Sequence, residues 1–310
     1  MKILHLDSNH PILISNLKKK GYINDLDITS SKHDICKIIE NYDGLILRSR
    51  FEIDKDFIDK ATNLKFIARV GSGLENIDCN YAKSKNIEVI SSPEGNSNAV
   101  GDHAMGLLLS LLNNINRSSN QVKKGLWYRE KNRGFEIEGK TVAILGMGNT
   151  GKNFAKKISG FNCKLFFYDI DDKIECKYAK KSSLDFLYQN ADIVSLHLPF
   201  TSETIDLFNK EIIQKFNKPF WLINTSRGKI VNTPDLIDAL NDKKILGAGL
   251  DVIDIESSSF TNIDIDSNPY FKHLLNLKNV IITPHIAGWT FESNVKLSQI
   301  ITDKIETYFK

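Results

Sequence analysis

Short apolar runs separated by amphipathic stretches set the rhythm of the first hundred residues. Residues 3–6, 45–47, 66–68 and 89–90 have the length and composition of buried strands. Between them, residues 12–20 and 54–61 place apolar side chains at helical spacing. Strand, helix, strand at this interval predicts parallel pairing in an open α/β sheet, because a parallel neighbour needs a crossover segment. From 99 to 124 the pattern turns helical, with Ala104, Leu107, Leu108, Leu111 and Leu112 on one face, and predicts a long helix joining two domains. A second series then follows, with strands at 142–145, 165–168, 193–196, 221–223, 247–250 and 280–282. Six strands at this spacing are what a complete doubly wound domain requires. Residues 290–310 form an amphipathic segment that returns to cover the first domain, and 257–268 is polar and predicts a surface loop.

Composition narrows the picture a little. A chain of 310 residues suits two medium domains better than one. The net charge of +3 is too small to nominate nucleic acid or a membrane surface as a partner. Cys36, Cys79, Cys163 and Cys176 are scattered, with no C-x-x-C pair and no histidine cluster at metal spacing. Reduced thiols in a cytoplasmic protein, without a metal, are the expectation. Met1 to Asp7 reaches a charge too soon for a signal-peptide core, and the apolar run 107–112 is far short of a membrane span.

The sequence TVAILGMGNTG from Thr141 to Gly151 is an apolar strand running into G-x-G-x-x-G. Gly146 permits the tight turn, Gly148 lets the backbone approach a pyrophosphate, and Gly151 lets helix and strand pack closely. Met147, Asn149 and Thr150 complete that loop, and the helix after it offers free amides to phosphate. Asp169 ends the next strand, where a carboxylate accepts hydrogen bonds from the adenosine ribose. The same carboxylate repels a 2′-phosphate, so NAD is favoured over NADP.

Three later strands each end in a polar residue: Arg227 in INTSRG, Glu256 after GLDVIDI, and His285 in ITPHIAG. Each alone has a bland reading, as a surface ion pair, a solvated acid or a satisfied loop histidine. Together, behind a dinucleotide motif, they suit redox chemistry on a 2-hydroxy or 2-oxo acid. A guanidinium grips a carboxylate and a keto oxygen, and a histidine takes the hydroxyl proton as hydride leaves. A carboxylate beside such a histidine favours its protonated form.

These residues, with His197-Leu-Pro199, Asn224-Thr225-Ser-Arg227-Gly228, Asp251-Val252 and Pro284-His285, resemble the D-isomer-specific 2-hydroxyacid dehydrogenase family over essentially the whole chain. The resemblance implies that Arg227 binds substrate, His285 is the acid/base and Glu256 partners it. It implies that Asp251 holds the nicotinamide carboxamide, and that Val100, His197, Pro199 and Thr225 line the cofactor. His197 would be a positioning contact rather than a second base. The implied fold is α/β, two Rossmann-like doubly wound domains, one flavodoxin-like and one dinucleotide-binding. Residues 1–98 plus 286–310 would bind substrate and 99–285 would bind NAD, in a homodimer with the long helix near its interface.

Arg69-Val-Gly-Ser72-Gly73-Leu resembles the family loop whose amides hold the substrate carboxylate. Arg48-Ser49-Arg50 and Trp127-Tyr-Arg129 resemble segments that bind phosphate in the phosphoglycerate dehydrogenase branch of the family. Alternation along a strand makes it hard for Arg48 and Arg50 to enter one pocket. The small-molecule substrate this implies is D-3-phosphoglycerate, at the first step of serine biosynthesis. Glyoxylate, hydroxypyruvate or D-lactate, and a non-catalytic dinucleotide-sensing corepressor, remain alternatives. Ser257 stands after Glu256 where many relatives have proline, Phe51 where threonine is common, and Gly101-Asp102 where Ala-Glu is usual. With the chain ending at Lys310, no serine-binding regulatory domain is expected.

Overall fold

The computed structural model describes residues 1–256 and 268–309, so the predicted loop at 257–268 lies outside the described residues apart from Asn268. Two compact units result: Met1–Asn96 with Trp289–Lys310, and Ser97–Gly288.

The first unit is built on β1 (Lys2–His5), β2 (Ile23–Leu26), β3 (Gly44–Leu47), β4 (Phe66–Arg69) and β5 (Glu88–Ser91), all parallel, in the order β2-β1-β3-β4-β5. That is the flavodoxin-like winding. Its crossovers are α1 (Ile12–Lys19), α2 (Lys32–Ile35), α3 (Lys55–Lys60) and α4 (Cys79–Ser84). The last three start at Ser31, Asp54 and Asp78, whose side chains accept a backbone N–H three residues on. β2 escapes the apolar pattern because it is an edge strand, with Ile23 and Leu26 exposed.

α5 (Pro93–Leu112) begins in the first unit and ends in the second. The predicted continuous helix to residue 124 is broken. Asn114 takes φ +53°, and a separate α6 (Ile115–Lys123) follows it. Asparagine tolerates this left-handed conformation, and α6 buries none of its residues, so no core contact holds the two helices in line.

The second unit carries β6 (Thr141–Leu145), β7 (Lys164–Tyr168), β8 (Lys180–Lys181), β9 (Ile193–Leu196), β10 (Phe220–Asn224), β11 (Ile245–Leu250) and β12 (Val280–Ile282). Among the described residues these form one parallel sheet in the order β12-β11-β10-β9-β6-β7-β8. The chain winds outward from β6 to β8, then returns to the other side of β6 with β9. The switch point between β6 and β9 is where such sheets bind dinucleotides. Crossovers are α7 (Asn149–Ile158), α8 (Leu184–Asn190), α9 (Lys210–Lys215), α10 (Thr233–Asn241) and α11 (Pro269–Asn276). Apolar cores fill both faces of this sheet, so its inner strands read as unbroken hydrophobic runs. In the first unit, α12 (Phe291–Tyr308) packs Leu297, Ile301 and Ile305 against Leu13, Leu17 and Phe66. A capping box between Thr290 and Ser293 starts it.

Candidate active site

Five adjacent strands of the larger sheet end in register. Leu145 of β6 pairs with Leu196 of β9, Leu196 with Asn224 of β10, Asn224 with Leu250 of β11, and Leu250 with Ile282 of β12. Each is the last residue of its strand, so Gly146, His197, Thr225, Asp251 and Thr283 leave the sheet side by side. Residues scattered over 138 positions of sequence, from Gly146 to Thr283, thus start from one edge.

At the switch point Gly146 takes φ +89°, and a Cβ there would lie 2.3 Å from His197 O. A Cβ on Gly151 would lie 2.2 Å from Gly146 O, which is why α7 can sit directly over the loop. Gly148 differs: nothing lies within 4 Å of its Cβ position. It caps α7 without any side-chain hydrogen bond, Asn149 and Thr150 open the helix, and Met147 is buried beneath. Asp169, just past β7, accepts from Met147 N at 2.7 Å and Asp171 N at 3.0 Å, which places its carboxylate beside the glycine loop. Ser195 and His197 Nε2 are 2.8 Å apart, and burial pushes the His197 imidazole down to about 3, so it is neutral. His197 Nδ1 and Thr225 Oγ1 are buried at this edge with no hydrogen-bond partner. Pro199 is exposed and accepts from Thr204 Oγ1, while Val100 is buried on α5 next to Gly101, where α5 crosses α7. Space above Gly148, an uncapped helix start and an orphaned hydroxyl at Thr225 fit a bound dinucleotide.

Arg227 follows β10 through Thr225 and Ser226. Ser226 Oγ donates to Leu196 O at 2.7 Å and accepts from Leu198 N at 3.0 Å, which locks the end of β10 to that of β9. Gly228 then lies against the chain before Glu256: a Cβ would fall 1.9 Å from the Ile253 carbonyl. Glu256 Oε1 accepts from Ile253 N at 2.5 Å, and Oε2 lies 2.6 Å from His285 Nδ1. The pair is mostly shielded, at 16% and 26% side-chain exposure for Glu256 and His285, so water screens it only partly. His285 has φ +54°, a left-handed backbone that is uncommon for a residue with a side chain.

Asp251 stabilises that conformation. Its carboxylate accepts from Thr283 Oγ1 (2.6 Å), Ile286 N (2.9 Å) and Ala287 N (2.7 Å), and its carbonyl accepts from His285 N (2.8 Å). Burial would raise this carboxyl, but hydrogen bonds from His103, Thr283 and the two amides hold it below the ordinary carboxylate range. Neither Thr283 nor His103 stands out from the sequence alone as a site residue. The threonine stands two residues before His285 on a strand end, which is a local signal; His103, on a distant helix, gave none.

In the first unit Arg50, expected at the phosphate, makes contacts to the protein's own backbone. Its guanidinium donates to the carbonyls of Leu6 (3.0 Å), Asp27 and Ser30, tying β3 to the ends of β1 and β2. Three of its five N–H donors are thus turned into the fold. Arg48 is different: its guanidinium stacks over Trp289, 4.0 Å from the ring centroid, and burial lowers its proton affinity while Asp7 opposes that. Ser49 is partly buried beside it, Ser72 Oγ donates to Asn96 Oδ1 at 2.7 Å, and Gly73 is next in the same loop. Arg129, in the second unit, is exposed at the start of a short turn of helix. Among the described residues no His, Cys, Asp or Glu group could hold a metal, and no helix is long and apolar enough to cross a membrane.

Comparison with known proteins matches residues 105–287 to the model described as "D-isomer specific 2-hydroxyacid dehydrogenase, NAD binding domain". A hydroxypyruvate reductase of Thermotoga maritima is 34% identical over 91% of this chain and 90% of its own. A D-3-phosphoglycerate dehydrogenase of Archaeoglobus fulgidus is 32% identical over 98% of this chain, which spans 56% of that enzyme's length. The NAD-complexed D-isomer specific 2-hydroxyacid dehydrogenase of Lactobacillus delbrueckii ssp. bulgaricus superposes with a TM-score of 0.83 at 26% identity, covering 99% of this chain and 97% of that one. The chain belongs to the D-isomer specific 2-hydroxyacid dehydrogenase family, with two parallel-sheet α/β domains and NAD as its cofactor.

Proposed function

We propose that this dehydrogenase oxidises D-3-phosphoglycerate to 3-phosphohydroxypyruvate, the entry to serine biosynthesis, with Arg227, Glu256 and His285 as its catalytic residues. The observation that carries the mechanism is the 2.6 Å contact between His285 Nδ1 and Glu256 Oε2. It engages one ring nitrogen and fixes the ring, so proton exchange with the substrate hydroxyl runs through Nε2. His285 takes that proton during oxidation and returns it during reduction, while Glu256 stabilises the imidazolium. Arg227 binds the carboxylate and the oxygen at C2, whose charge changes during reaction. Bound NAD would supply the hydride acceptor. The loop from Gly146 to Gly151 would hold its pyrophosphate and Asp169 its ribose, with Val100, His197, Pro199, Thr225 and Asp251 along the rest. Within the first unit, Arg48 and Ser49 are the candidates for the phosphate and the amides of Ser72 and Gly73 for the carboxylate; Arg129 is the basic candidate of the second unit.

Reduction of hydroxypyruvate is the second reading. The contacts of Arg50 to three backbone carbonyls favour it, since they leave fewer guanidinium donors to a phosphate. A panel of 3-phosphoglycerate, hydroxypyruvate, glyoxylate and D-lactate, with NAD(H) and NADP(H), separates the two. The expected result is the highest kcat/KM with 3-phosphoglycerate and NAD, lowered by Arg48→Ala about tenfold or more. His285→Asn is expected to lower kcat by about 10²- to 10⁴-fold. Preference for hydroxypyruvate untouched by Arg48→Ala selects the second reading; full activity in His285→Asn removes the mechanism from both. We further propose that the enzyme works in the cytoplasm as a homodimer, with exposed Ile115, Val122, Leu126, Trp127, Tyr128 and Phe135 on and after α6 as the contact region.

A further inference from the structure

The loop that carries His285 is wound around one buried carboxylate. Asp251 is 1% exposed, so its charge needs hydrogen-bond donors in place of water. Three come from residues 283–287, the loop it organises, and those contacts hold His285 in a left-handed backbone that costs about 1–2 kcal/mol for a residue with a Cβ. Such strain persists only where neighbouring contacts over-determine it. A fourth contact comes from a different element. His103 of α5 sets Nε2 2.9 Å from Thr283 Oγ1 and 3.3 Å from Asp251 Oδ1.

Donor accounting fixes what His103 contributes. The Thr283 hydroxyl hydrogen points at Asp251 Oδ1, 2.6 Å away, so towards His103 that oxygen can only accept. The Asp251 carboxylate also only accepts. Nε2 faces two acceptors and must therefore carry the proton, sharing it between them. His103 supplies a ring N–H to the hub that neither β11 nor β12 provides, and it anchors that hub to a helix outside the loop.

We propose that His103 is a positioning residue for the acid/base step: through Asp251 and Thr283 it fixes the backbone from which His285 projects. The inference rests on the reading of His285 as the acid/base. A loosened hub lets His285 drift from Glu256 and from the substrate hydroxyl, which lowers the rate of proton transfer without removing any group that binds ligand. A packing role for His103 on α5 makes a different forecast, since it would follow side-chain volume rather than the donor.

The test compares three variants in the intact protein, using the best substrate of the panel above. His103→Leu keeps bulk and removes the donor; His103→Gln places an amide N–H near the position of Nε2; His103→Asn falls short of it. We expect kcat to fall about 10- to 100-fold in the Leu and Asn variants, as for a misplaced catalytic group, with KM for NAD(H) and substrate within about threefold. The Gln variant should stay within about threefold of wild type in both. Wild-type kcat in the Leu variant overturns the proposal, as does a Gln variant no better than Leu, or a loss confined to KM. If the Leu variant does not fold, the contrast between Gln and Asn decides by the same criteria. The two readings fail separately: full activity in His285→Asn sinks the mechanism, whereas a dead His285→Asn beside a normal His103→Leu sinks only this proposal.

Discussion

At the scale of single residues, burial decides what a polar group can do. His197 is enclosed at the switch point with its proton affinity pushed down to about 3 from an ordinary 6.5. The unfolded chain therefore binds a proton between those values that the folded chain refuses, and stability falls as pH drops from about 6.5 towards 3. The stability difference between wild type and His197→Gln should shrink over this interval by an amount on the order of a few kcal/mol. Denaturant unfolding at several pH values measures it, and a difference constant between pH 7 and pH 4 would contradict the assignment. Arg48 and Arg50 show why residue roles are only half legible in sequence. Their shared basic character is plain, but the carbonyls of Leu6, Asp27 and Ser30 that absorb Arg50 belong to other strands and loops. Arg227, Glu256 and His285 stand out in the sequence as polar residues following apolar strands, and the structure brings Glu256 and His285 into contact. His103 was not, because its meaning depends on a contact 180 residues along the chain.

Elements turn such residues into a site through glycine. Gly228 and Gly148 make opposite forecasts. At Gly228 a methyl would meet the Ile253 carbonyl at 1.9 Å and Asp254 N at 2.5 Å, both backbone, so β10 and the chain before Glu256 would have to separate. Gly228→Ala should cost about 1–3 kcal/mol of stability and lower kcat by about 100-fold, through Arg227 and Glu256 together. At Gly148 the same methyl meets nothing in the protein. Gly148→Ala should melt like wild type and yet bind NADH at least about tenfold more weakly, since the methyl enters the space the pyrophosphate needs. Calorimetric melting and NADH titration of both variants check the pair, and a Gly148→Ala protein with unchanged NADH affinity would move the cofactor elsewhere. The inner strands could be read from the chain because they are apolar throughout. β2 and β8 could not, being a half-exposed edge and a two-residue Lys180–Lys181 pair, and the turn at Asn114 interrupts a pattern that apolar spacing alone carried through.

At the scale of the whole molecule, parallel winding of the larger sheet explains why the candidate site residues follow strand ends, since every crossover returns the chain in the same direction. It does not explain α6 and the segment after it, where Trp127 is 76% exposed and Phe135 56%. Apolar surface concentrated on one segment marks a protein contact more often than chance solvent exposure. Sedimentation velocity should give twice the 35.1 kDa chain mass, and a Trp127→Glu/Val122→Glu double variant should shift the protein towards monomer. A wild-type protein that sediments as one chain across the micromolar range would remove the homodimer.

The positive torsion at His285 bears on how any randomised library at that codon should be interpreted. Valine, isoleucine and threonine will be depleted for steric reasons that have nothing to do with proton traffic, whereas glycine and asparagine will survive as folded, inert protein. Survivors of a folding screen and survivors of an activity screen should therefore overlap at histidine alone.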